Sequence, residues 1–114
     1  MNKLMHALVV CCSVLSLAVN AAPPRPPSEE EIAKMEAAMP SAPTVEPAQP
    51  RKLLIFSQCE GFTHSSVPFG EKAFEILGRK TGAYTTVVAQ ACAILESPEF
   101  DTFDAIVMHN TTIR

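Results

Sequence analysis

The chain has 114 residues, enough for one domain at most, and its 12 acidic against 9 basic residues leave a net charge of −3. A mildly acidic chain without basic clusters lacks the electrostatic footprint for nucleic acid or an anionic membrane surface. Its histidines and cysteines do not fall at zinc spacing, so no metal is expected. Neither a Walker motif nor a dinucleotide fingerprint is present, so no cofactor is expected.

Residues 1–21 read as a secretory signal peptide. Lys3 supplies the positive n-region, Leu4 to Val19 the apolar stretch, and Val19-Asn20-Ala21 the small residues of a cleavage site. The apolar run is shorter than the ~20 residues a spanning helix needs. The expected product is therefore exported, periplasmic or extracellular, with no stable membrane span after leader cleavage. Cleavage removes Lys3 and leaves eight basic residues against twelve acidic ones, a charge of −4. Cys11 and Cys12 leave as well, so Cys59 and Cys92 remain in a compartment that permits disulfides.

Residues 22–50 read as a proline-rich linker, with eight of the chain's ten prolines. Such a segment favours extended, polyproline-like conformations and packs no core. One island interrupts it. Ser28 and Glu31 form a capping box, the first turn is acidic, and Pro40 stops the run, so a helix is expected over about 29–39. Ile32, Met35 and Met39 give it a thin apolar stripe. An isolated helix of that length is barely stable, which favours a marginal helix on a tether over one that docks.

Residues 51–114 carry the globular part. Lys52 to Ser57 reads as the first strand, continuously apolar from Leu53 to Phe56, as expected of a parallel strand covered on both faces. After the polar loop 58–66 a helix begins near Pro68, with Ser66 as the expected N-cap, and runs to about Lys80 before Gly82. Phe69, Ala73, Ile76 and Leu77 form its apolar stripe, with Phe74 beside it. Tyr84 to Ala89 is a second strand, rich in β-branched residues. A short helical turn is expected at Ser97-Pro98-Glu99. Ala105 to Met108 is the third strand. The helical crossover between the first two strands makes them parallel, and a doubly wound sheet of order 2-1-3 follows. The fold class is α/β, an incomplete flavodoxin-like three-layer sandwich. Three strands with one long helix leave part of the sheet uncovered and the third strand with an unpaired apolar edge.

Three separated blocks resemble the trehalose-utilisation (ThuA-like) family. They are Phe56-Ser57 with Gly61-Phe62-Thr63-His64 and Val67-Pro68, then Phe103-Asp104-Ala105-Ile106-Val107, then Asn110-Thr111-Thr112. The resemblance covers residues 52–114. It implies a glutamine amidotransferase-like fold, a role in carbohydrate utilisation, and a sugar or glycoside ligand. The family's later glycine-rich strand and Gly-x-His turn lie beyond Arg114, so the expectation is the N-terminal portion of such a domain, without a complete site. Where the family commonly has an acid near the end of the second strand, this chain reads Ala89-Gln90-Ala91-Cys92. The alternative is a non-catalytic carbohydrate-binding or interaction module, or an inactive remnant.

The residues that bear chemistry gather at the carboxyl edge of the sheet, where α/β folds bind ligands. His64, just ahead of the helix, is the candidate catalytic residue, as a general base, hydrogen-bond donor or ligand. Ser57, Asn110, Thr111 and Thr112 offer neutral donors and acceptors that suit sugar hydroxyls. Glu60 is a possible acid/base partner of His64, and His109 faces either the crevice or the core. Cys59 and Cys92 both follow neighbouring strands and form a candidate disulfide.

Overall fold

The computed structural model describes residues 24–112. The expected leader and Arg114 lie outside the described residues. In chain order the elements are α1 (Glu29–Ala38), β1 (Lys52–Phe56), α2 (Val67–Thr81), β2 (Thr85–Ala89) and β3 (Ala105–Met108). Two short 3-10 turns, Cys92–Glu96 and Phe100–Thr102, join β2 to β3. Ser97 to Glu99, expected as the helical turn, are instead the link between these two.

The sheet is parallel throughout, in the order β2-β1-β3. This is an α/β architecture with β1 in the centre. Leu54, Ile55 and Phe56 are wholly buried, as is Ile76 of α2 at 1% exposure. Burying each such side chain stabilises the fold by about 1.5–3 kcal/mol. Side chains alternate along a strand, so the register assigns the two faces. One residue beyond the last ladder row come Ser57, Gln90 and His109, and all three reach α2 by hydrogen bonds. The face of Ile55, Val88 and Val107 is therefore the one beneath α2.

The other face carries Leu54, Phe56, Val87, Ala89, Ile106 and Met108. A right-handed return from β2 to β3 crosses on this side. Two 3-10 turns are narrower than a full helix, and the cover ends at the edge: Ile106 is 39% and Met108 57% exposed.

Local sequence explains the helix ends. Pro68 sits in the first turn of α2, where a missing N–H costs nothing. Gly82 closes the helix at φ 69°, and its N–H donates to the Gly78 carbonyl at 2.9 Å. Ser66 takes the N-cap position with helical dihedrals, and its hydroxyl makes no capping bond. In place of the expected side-chain cap, a backbone bond serves the first turn, Val67 N–H to His64 O at 3.1 Å.

The proline-rich segment differs most from expectation. α1 starts from the Ser28–Glu31 capping box, and it packs on α2 instead of hanging from a tether. Arg25 grips both oxygens of Glu31 at 2.8 Å and lies 5.3 Å from the Phe69 ring centre. Arg79 pairs with Glu36 across the two helices.

Candidate functional site at the carboxyl edge of the sheet

β1, β2 and β3 end side by side, and each delivers a polar segment to the same edge. The segments fall into two clusters on either side of β1.

The β2-side cluster is built on Ser57, which is 5% exposed. Its backbone N–H donates to Ala89 O at 3.0 Å, extending the ladder by one residue. Its hydroxyl donates to the Glu71 carboxylate, and Gln90 Nε2 donates to the same Glu71 oxygen at 3.0 Å. Glu71 stands one helical turn after Val67, so its carboxylate hangs over the end of the sheet.

The β3-side cluster is more unusual. A parallel bridge pairs Cys59 with Thr112 beyond the regular ladder, and Glu60 N–H donates to Thr112 O at 3.0 Å. Two residues lie between Phe56 and Cys59, whereas three lie between Met108 and Thr112. The β3 side therefore holds one extra residue. Asn110 absorbs it by adopting φ 54°, a left-handed conformation that asparagine tolerates better than most residues.

This bridge positions the thiol. Cys59 Sγ lies 2.7 Å from Thr112 Oγ1 and 3.3 Å from the Phe62 carbonyl. The thiol donates to that carbonyl, and its sulfur shares a second hydrogen bond with the Thr112 hydroxyl. The Thr112 hydrogen bond is the main force holding the thiol below its ordinary pKa, and the Gly61 backbone and Thr63 hydroxyl act in the same direction. Cys92 opens the 3-10 turn after β2, on the opposite side of β1. Both cysteines are free thiols, and the expected Cys59–Cys92 pairing is not formed. The reason is that the loop after β1 leans toward β3, away from β2.

His64 is exposed and meets Phe62 edge-on, with ring centres 4.9 Å apart and planes at 84°. It stands at the rim of the edge, and its carbonyl rather than its ring makes the bond that starts α2. Glu60 is exposed too, and no hydrogen bond joins it to His64. His109 instead turns inward. It is half-buried, and its Nε2–H donates to Val67 O at 3.2 Å. A Cβ placed on Gly70 would lie 2.5 Å from this imidazole, so a glycine there gives the ring its room.

Gln58 and Asn110 flank the gap between the Phe56–Met108 pair and the Cys59–Thr112 bridge. Gln58 Oε1 and Asn110 Nδ2 are buried and make no hydrogen bond within the protein. One is an acceptor and the other a donor, and a buried polar atom without a partner is costly. They sit between β1 and β3, where the strand order 2-1-3 reverses. In open α/β sheets that reversal is the place where ligands bind. Thr111 follows Asn110 at the same edge and is half-buried.

Of the residues expected from sequence, Asn110, Thr111, Thr112 and the loop bearing His64 are thus brought to one edge. Ser57 is committed to Glu71. Gln58, Glu71 and Gln90 were missed. Strand alternation carried a signal for Ser57, because it shares a face with Ile55. Glu71 had none, since its role depends on how α2 crosses the sheet.

Cavities also lie away from this edge. One of about 440 Å3 opens between Pro40–Val45 and the end of α2. Another of about 320 Å3 lies at the amino edge of the sheet, where its charged lining residues are already paired, Arg51 with Asp104 and Lys52 with Glu99. Among the described residues no three His, Cys, Asp or Glu side chains gather as a metal-ligand group, and no helix is long and apolar enough to cross a membrane. Comparison with family models, curated proteins and solved structures gives no match for this chain.

Proposed function

We propose that this is an exported protein that binds a sugar or glycoside at the carboxyl edge of its sheet, in a carbohydrate-utilisation role like that of the ThuA-like family it resembles. The observation that carries the reading is the unpartnered pair Gln58 Oε1 and Asn110 Nδ2 at the β1/β3 junction. A sugar hydroxyl both donates and accepts, so one hydroxyl answers both needs. The rim adds an apolar surface. Phe62 is 65% exposed and stacks edge-on with His64, and an exposed aromatic face suits the C–H face of a sugar ring. His64 then contributes a ring nitrogen to a hydroxyl at the mouth of the site.

Binding fits this geometry better than bond cleavage by the chain as described. Glycoside hydrolysis uses two carboxyl groups flanking the scissile bond, and the only carboxylate held inward at this edge among the described residues, Glu71, is occupied by Ser57 and Gln90.

The test is saturation-transfer NMR on the full chain with a panel of mono- and disaccharides. Ring protons of Phe62 and His64 should transfer to at least one sugar. Phe62→Ala and Asn110→Ala should abolish the transfer, and His64→Ala should weaken it. Absence of transfer to every sugar, or full transfer in all three variants, removes the proposal.

A further inference from the structure

We infer that residues 24–39 form a strap that is helical only while seated on α2, is latched there by Lys80, and lifts off as a unit without unfolding the sheet. The inference is independent of the sugar reading.

The latch is visible at the end of α1. The last carbonyls of a helix lack intrahelical partners, and a basic side chain in the last turn commonly serves them. α1 has no basic residue in its last turn. Lys80 of α2 reaches across, and its Nζ donates to the carbonyl oxygens of Glu36 and, at 2.8 Å, of Met39. Arg79 adds an ion pair to the Glu36 side chain. The cap of α1 therefore belongs to another helix, and undocking removes it. The other end is fixed by Arg25, stacked on Phe69 while it holds Glu31.

The seat is shallow. α1 buries no residue fully, and Ile32, Met35 and Met39 are half-buried. A cavity of about 200 Å3, lined by Met39, Gly70, Ala73, Phe74 and Leu77, remains at the contact. Among the described residues, no backbone–backbone hydrogen bond joins residues 40–50 to the domain. Segments with few buried contacts open locally at lower cost than core strands, and a ten-residue helix without its partner is marginal. Lifting the strap uncovers the apolar strip of Ala73, Phe74 and Leu77, so the strap is a cover for that strip.

Hydrogen exchange on the full chain tests this. Lys80→Met keeps the aliphatic stem and removes the donor. It should speed exchange of the α1 amides at least ~10-fold, the loss expected for a charge-assisted hydrogen bond, and leave the Leu54–Phe56 amides as slow as in the parent. Ala33→Pro, inside α1, should erase α1 protection and again spare β1. Unchanged α1 exchange in Lys80→Met overturns the latch. Loss of β1 protection alongside α1 in Ala33→Pro overturns the strap, because α1 would then be part of the core unit.

Discussion

The two ends of the sheet are built on opposite terms. At the amino end Arg51 pairs with Asp104 and Lys52 with Glu99. Asp104 accepts from Arg51 at 2.8 Å and from the Lys52 N–H at 2.7 Å, while its own N–H donates to Lys52 O at 2.8 Å. Lys52 Nζ meets Glu99 at 2.9 Å and Thr102 at 3.1 Å, and lies 4.6 Å from the Phe103 ring centre. At the carboxyl end the groups are mostly neutral, and two of them are buried without partners. Exposed ion pairs each contribute little, but Asp104 binds side chain and backbone at once and so fixes β3 in register on β1. The amino end commits its polar groups to structure, and the carboxyl end leaves Gln58 Oε1 and Asn110 Nδ2 unpaired.

Two glycines of α2 give the largest test of this contrast. A Cβ on Gly78, toward the amino end, would lie 2.6 Å from both the Tyr84 ring and the Tyr84 carbonyl. Backbone cannot step aside as a side chain can, so Gly78→Ala should destabilise by about 3 kcal/mol in urea unfolding, the upper range for overpacking. Gly70→Ala, at the carboxyl end, meets only the His109 imidazole. That ring can swing, and alanine is the better helix former, so the loss should be about 1 kcal/mol. Equal losses would show the two ends to be equally rigid.

Acid sharpens the comparison next. Arg51 and the Lys52 N–H hold the Asp104 carboxyl below its ordinary value. A carboxyl with a depressed folded pKa contributes its stability above the unfolded value and loses it as pH falls through the folded one. Urea midpoints should therefore fall below about pH 4, and Asp104→Asn should flatten that slope. An unchanged slope removes Asp104 from the clasp. Glu31, drawn down to about 2 by Arg25 and the Ser28 N–H, loses its contribution over the same acid range, a change that α1 amide exchange follows separately. The smallest effect is expected of His64→Ala. An exposed rim residue should shift stability by no more than ~0.5 kcal/mol, so a larger loss would make His64 structural.

The sheet was legible in the sequence because its signals are local and redundant. Leu53 to Phe56 and Ala105 to Met108 are unbroken apolar runs, and Pro68 and Gly82 bracket α2. The order 2-1-3 is that of a doubly wound sheet, which the β-α-β pattern with a short return implied. The docking of α1 was hidden, because its cap comes from Lys80, more than forty residues away. His64 reads as a site residue by position, yet its ring lies on the rim, and His109 takes the inward place. Cys59 and Cys92 stand apart as free thiols through a detail no pattern encodes, the lean of one loop toward β3.

Asn110 has a consequence for how this edge tolerates insertions and deletions. Asn110 is the surplus residue between Met108 and Thr112, so its removal would leave three steps on each strand and Thr112 still opposite Cys59. A deletion there irons the edge into a regular ladder and takes the unpartnered amide with it. An insertion adds a second surplus residue beside the one that already needs a left-handed asparagine. This edge therefore accepts the loss of one residue more readily than the gain of one.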